Sequence, residues 1–189
     1  MATKIEIWNM ALARLGAATV TADTDTTQEA NLCNAFYDEI RDRATVQGSW
    51  STAIFRTSLA STGVTPSFEY SYEFQLPVDP RCLKVLTVDE NSPGAEPFAI
   101  EGDKLYSDSS SVKIKYIGRI EDEEDFGPLL TEAIEILLAS YLAYPLTGDR
   151  GVADRLRQEY FGVSANNLAV DGQQGSKQTV VSSDLTEIR

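Results

Sequence analysis

A chain without histidine must do any acid–base work with carboxylates, and this one has 29 of them among its 189 residues. Two carboxylates suffice for glycoside hydrolysis, one as the acid and the other as base or nucleophile. Among 29 acids, though, no pair stands out as a site. The other common chemistries lack their residues altogether. Without imidazole there is no Ser–His or Cys–His pair. Cys33 and Cys82 are too few and too distant in sequence for a zinc site of their own, and they make no disulfide framework for a chain this long. Neither a P-loop nor a dinucleotide-binding glycine motif is present to cradle phosphates. The expectation is a protein that uses no cofactor and no metal and is not an enzyme.

Charge narrows the partners. The net charge is −13, with 16 Lys and Arg against 29 Asp and Glu. Affinity for a phosphate backbone comes from cations that neutralise it, and no basic run is present to offset the acidity. Specific DNA or RNA binding is therefore not expected. Acidity of this size keeps a protein soluble, and it also makes a surface past which nucleic acid slides without sticking. An apolar content of 42% is ordinary for a globular fold and argues against wholesale disorder. Met1 to Lys4 lead straight into an amphipathic helix, so no signal peptide and a cytoplasmic folding compartment are expected.

The elements run in the order helices, strands, helices, tail. Thr3 with Glu6 makes a capping box, and Ile5, Trp8, Leu12 and Leu15 follow at helical spacing up to Gly16. A second capping pattern, Thr26 with Glu29, opens a helix to about Gln47. Its apolar face is Cys33, Phe36, Tyr37, Ile40 and Ala44, and Asp38, Glu39, Arg41, Asp42 and Arg43 make its wet face. Gly48 ends it, and Trp50, Ile54 and Phe55 read as core plugs. From Phe68 to Gln75 aromatic and polar residues alternate, which predicts a strand with four aromatics on one face. A base-stacking platform would look similar, but the flanks lack the cations it needs. Strands are also predicted at Cys82 to Val88 and at Val112 to Tyr116, with a hairpin turn at Gly102-Asp103. Together these predict one small antiparallel sheet of four or five strands.

The helix from about Leu129 to Tyr144 has polar residues only at Thr131, Glu132, Glu135 and Ser140. A helix with so little wet face belongs at the centre of a bundle, or under another subunit, or both. It reads as too short and too acidic to span a bilayer. The acids of 121–125 before Pro128 suit the positive end of its dipole, and Pro145 and Gly148 are expected to break the chain after it. A last helix is predicted from about Asp149 to Asn167, with Ala153, Leu156, Tyr160 and Phe161 inward. The fold class is α+β: about four helices in a bundle (1–60 and 120–170), an inserted antiparallel β-domain (61–119) and an extended C-terminal arm (171–189). The arm is polar but carries Val180, Val181, Leu185 and Ile188, which suit contact with a neighbour.

Several pieces then fall into a familiar order. Ile7–Gly16 reads IWNMALARLG, followed by EANLC at 29–33, YDEIRD at 37–42 and Trp50. FQLPVDPRCLKV at 74–85, YIGR at 116–119 and LAYPLTG at 142–148 complete the set. From about Ile5 to Leu168 the chain resembles the tail tubular protein A family, the head-to-tail adaptors of short-tailed bacteriophages. The resemblance implies a structural virion protein, assembled in the host cytoplasm, forming a ring commonly of twelve copies. Such a ring sits between the portal protein and the tail nozzle protein and encloses the channel through which DNA leaves without specific binding. It implies a helical bundle with an inserted β-domain and no membrane partner. Subunit or partner contacts are expected at Leu137, Tyr141, Tyr144, Val180, Val181, Leu185 and Ile188. Two other classes stay open: a tail-associated glycan hydrolase built on paired carboxylates, and a monomeric binding module whose apolar helix is covered within one chain.

Overall fold

Thr3 and Glu6 begin the first helix reciprocally. The Glu6 N–H donates to Thr3 Oγ1 at 3.3 Å, and the Thr3 N–H donates to Glu6 Oε2 at 2.7 Å. The computed structural model describes residues 2–48, 50–89 and 97–171. The helix so capped is α1, Lys4–Ala13, with Ile7, Trp8, Ala11 and Leu12 buried. The loop behind it is held by side chains rather than by secondary structure. Asn9 clamps Val20 in both directions, donating to its carbonyl at 2.9 Å and accepting from its N–H at 2.8 Å. Asp25 accepts from both the N–H and the hydroxyl of Thr21.

The second helix, α2 (Gln28–Gly48), starts later than the capping pattern predicts. Thr27, not Thr26, takes the free amide, with the Ala30 N–H donating to its Oγ1 at 3.2 Å. Gly48 closes α2 for a steric reason. The Trp50 indole folds back to donate from Nε1 to the Ala44 carbonyl at 3.0 Å, and a Cβ on Gly48 would lie 2.1 Å from that ring. Trp50 is buried as expected, whereas Ile54 and Phe55 are only half-buried. They begin a strand that the apolar spacing did not reveal, β1 (Ile54–Ala60).

Among the described residues five further strands follow: β2 (Tyr72–Gln75), β3 (Cys82–Val88), β4 (Phe98–Glu101), β5 (Lys104–Ser107) and β6 (Ser111–Gly118). They form two three-stranded antiparallel sheets, ordered β1-β6-β3 and β2-β5-β4, rather than the single sheet predicted. The β4–β5 hairpin turns at Gly102 with φ +63°, and Glu101 pairs with Lys104 across it. In β6, Val112, Ile114 and Tyr116 are buried, as their alternation predicts. The predicted strand at 68–75 is shortened to β2. Its aromatic ladder fails at Phe68, which is 75% exposed, and holds at Phe74, which is fully buried, while the acid Glu73 on the opposite face is buried as well.

The third helix, α3 (Pro128–Thr147), runs straight through Pro145, which falls in the last turn. There it deletes only one intrahelical N–H, and Gly148 supplies the stop at φ +72°. The acids before it do not enter the first turn of α3. They form a separate 3-10 turn, Glu123–Asp125, whose Glu124 N–H donates to Asp122 Oδ1 at 2.9 Å. The fourth helix, α4 (Arg150–Asp171), is capped by Asp149, whose Oδ1 accepts from the Gly151 N–H at 2.7 Å. Ala153, Leu156 and Tyr160 face inward, but Phe161 is 65% exposed. Successive helical residues point about 100° apart, so Tyr160 and Phe161 cannot share one face.

By length and composition α3 would reach across a bilayer, with a mean hydropathy of 1.4 over 18 residues, contrary to the expectation that it is too short. Its apolarity has another use, since 67% of that stretch is buried inside the chain, and α3 packs against α1, α2 and α4. The large apolar core lies among these four helices and takes in Ile117 from the end of β6. A smaller core lies between the two sheets, built on Leu59, Phe74, Leu76, Leu105, Val112, Ile114 and Tyr116.

Two substitutions check this packing. Gly48→Ala should destabilise the fold by about 1–3 kcal/mol, because the Trp50 ring must leave its hydrogen bond to make room. Chemical denaturation measures it. Glu135 sits buried on α3, and desolvation raises its carboxyl above the ordinary value of 4.5. A raised carboxyl costs nothing below the unfolded pKa, costs progressively more as pH climbs toward the folded one, and costs the full amount above it. Glu135→Gln should therefore raise the melting temperature at pH 7, and the advantage should close as pH falls below about 4.5.

Candidate assembly surfaces

Of the seven residues expected at contacts, three lie on α3 within the described residues. Leu137 is 5% exposed and belongs to the helical core. Tyr141 is half-buried beside it, and Tyr144 is half exposed near the C-terminal end of the helix. Val180, Val181, Leu185 and Ile188, with the arm that carries them, lie outside the described residues.

The tyrosines on the outer edge of α3 are covered by arginines. Arg43 of α2 and Arg157 of α4 each place a guanidinium 5.7 Å from the centre of the Tyr141 ring, and Arg43 also donates to the Tyr141 hydroxyl. Arg150 stands 5.1 Å over Tyr144. Such cation–π pairs hold both partners in place at an exposed site for roughly 0.5–1 kcal/mol. Below Tyr141 a cleft of about 100 Å³ reaches Leu137, and Tyr160 donates from its hydroxyl to Gln47 Oε1 at 2.9 Å on the same wall. Phe161 forms the outer rim, its ring edge-on to Tyr160. The arrangement is apolar and cationic, on a chain that is otherwise acidic. Its lining is aromatic, aliphatic and cationic, with Gln47 as the one neutral polar side chain.

A second constellation joins the helices to the sheets. Arg119, just past β6, donates from Nε to both oxygens of Asp42, at 3.0 and 3.2 Å, and from a terminal nitrogen as well. Asp42 also accepts from Arg41 Nε at 3.1 Å, and Arg41 reaches Asp38 at 3.2 Å. Arg41 is 8% exposed, so the face of α2 predicted to be wholly solvated is in part a buried ion network. The Asp42 carboxylate holds the Arg119 guanidinium above its ordinary pKa. Nearby, Tyr37 donates to Glu123 Oε1 at 3.1 Å, and its ring meets Trp8 edge-on. Burial and the Glu123 charge push the Tyr37 phenol up, so it stays a donor at any physiological pH.

The remaining reactive groups are quiet. Burial, with the Glu29 charge beside it, pushes the Cys33 thiol up to about 12, and burial raises Cys82 as well. Both are free thiols, and a protonated thiol is a poor nucleophile. Among the described residues no three His, Cys, Asp or Glu side chains gather as a metal ion would need. No protein-family model matches the chain, and no curated protein matches it.

The burial of Leu137 makes one substitution decisive for this surface. Leu137→Asp should abolish soluble expression, since it places an unpaired charge in the helical core. Folded, soluble variant protein would show that Leu137 is not core.

Proposed function

We propose that the chain is a structural subunit of a short-tailed bacteriophage particle, a head-to-tail adaptor. Copies close into a ring, of twelve in the family it resembles, between the portal protein and the tail nozzle protein. DNA leaves through the channel of that ring. The observation that carries the reading is where the resembling segments sit. Asp42 of YDEIRD and Arg119 of YIGR stand far apart in sequence and share one ion pair between helices and sheet. Asn9 of IWNMALARLG clamps its loop, Tyr37 bonds Glu123, Trp50 closes α2, and Gly148 of LAYPLTG stops α3. Residues that carry the resemblance therefore carry the framework, as they should if the likeness is one of fold. The net charge of −13 agrees with a channel wall that must not hold DNA.

One observation favours a second reading. The cover that α3 receives from α1, α2 and α4 accounts for its composition inside one chain, as a monomeric binding module requires.

Negative-stain imaging of the full chain mixed with the portal ring of its virus separates the two, with native mass spectrometry of the chain alone as control. The adaptor reading expects a second tier of density stacked on the portal. A compact monomer that leaves the portal bare would overturn it in favour of the binding module. Deleting residues 172–189 should leave the melting temperature unchanged and reduce the occupancy of that second tier, since those residues supply the proposed arm. Undiminished stacking would remove the arm from the assembly.

A further inference from the structure

The loop before β2 and the β4–β5 hairpin enclose a cleft of about 240 Å³ that none of the assembly reasoning uses. Its floor is a pair of stacked rings, Tyr70 and Tyr106, with centres 6.4 Å apart and planes 25° from parallel. Phe68 lines it from the loop before β2 and is 75% exposed. A tight turn puts it there: the Tyr70 N–H donates to the Phe68 carbonyl at 2.8 Å, and Glu69 between them holds φ at +66°. A left-handed glutamate keeps its place only where the surroundings fix it. Here the turn holds an aromatic ring out in water, where it gains nothing from the fold itself.

Three carboxylates line the same cleft: Glu69, Glu73 and Glu101. Glu73 is already answered from within. It is buried, and its Oε1 accepts from Lys104 Nζ at 2.9 Å and from Thr62 Oγ1 at 3.2 Å, which holds its carboxyl below the ordinary value. Glu69 and Glu101 have no ion-pair partner among the described residues. The cleft thus combines π faces, whose quadrupole attracts cations, with two carboxylates whose charge is unanswered. Its walls repel phosphate, so a nucleotide or an anionic lipid head is the wrong ligand. Its volume is below the 300 Å³ at which sites for larger ligands begin, and it suits one extended side chain.

We propose that this cleft binds the cationic end of a lysine or arginine side chain presented by another protein. The ammonium or guanidinium lies against Phe68 and the Tyr70–Tyr106 stack, and Glu69 and Glu101 take its charge. The inference does not rest on the ring reading, and either can fail without the other.

The test is a titration of the full, nitrogen-15-labelled chain, followed by amide chemical shifts. The probes are the blocked tripeptides Gly-Lys-Gly and Gly-Arg-Gly, with Gly-Glu-Gly, spermidine and maltotriose for comparison. A lysine or arginine tripeptide should give saturable shifts confined to residues 64–73 and 101–106, weakened by added salt. Phe68→Ala and Glu101→Gln should each lower that affinity about 3-fold or more. Both side chains are exposed, so the variants should melt as the parent does. No saturable shift with either cationic tripeptide would overturn the proposal, as would equal binding by both variants. Saturation by maltotriose in their place would make the cleft a sugar site, and tighter binding of spermidine would make it a site for free amines; either result overturns it.

Discussion

A helix with no wet side has to be surrounded, and that requirement on α3 organises the whole molecule. Eleven of its side chains, from Leu130 to Ala143, are buried. One flanking helix could cover a stripe of α3, and two could cover half of it. Three are used, α1 and α2 from the start of the chain and α4 from the end. The β-strands follow α2 and precede α3 in the chain, between the helices that cover α3. The buried Glu135 is the imperfection in this arrangement. Desolvation raises its pKa, and the charge of Arg14 offsets that only in part while Glu132 adds to it.

The β-region meets the helices through the strand that ends at Gly118 and through β3, whose Leu83 and Leu86 pack against the helical core. Ile117 reaches into the helical core while Val112, Ile114 and Tyr116 of the same strand fill the core between the sheets. One strand thus belongs to both cores, with its alternating faces turned to different partners. The Asp42–Arg119 pair sits one step beyond it, and Tyr37–Glu123 a few residues further on. A bidentate guanidinium–carboxylate bond fixes direction as well as distance, which a greasy contact does not. These polar contacts join helices to sheet beside the apolar ones, and the two cores supply the bulk of the burial on either side.

The sequence was most legible where structure is local. Both ends of α1 follow from the Thr3–Glu6 box and Gly16, and the β4–β5 hairpin follows from a glycine at the first turn position. Alternation in β6 reports its buried face directly. The misreadings concern pairings made at a distance. Glu73 turns inward because Lys104, 31 residues away, meets it there, and no pattern around 73 contains that information. Phe68 left the strand because Glu69 adopts a left-handed conformation that glutamate seldom takes. Ile54 and Phe55 looked like plugs because Trp50 beside them is one, while their strand partners lie at Tyr116 and Ile117. Division of six strands into two sheets is the same kind of fact, decided by which edges meet. At the candidate surface, Leu137 was read correctly as apolar, but only the four-helix packing turns it from a surface residue into core. The arginines over Tyr141 and Tyr144 come from α2 and α4, and nothing near the tyrosines in sequence announces them.

The distribution of charge follows from the same packing. Cations are the minority, and the fold uses several internally: Arg14 with Glu159, Arg41 with Asp38 and Asp42, Lys104 with Glu73, and Arg119 with Asp42. Arg43, Arg150 and Arg157 are spent on tyrosine faces. Each such cation is held in a fixed contact, and the net charge of −13 leaves acids in excess over the cations that remain. At physiological ionic strength the field of that excess fades within about 8 Å, so it acts only at close range. Recognition by charge is therefore short-ranged and confined to sites where shape and unpaired charge coincide.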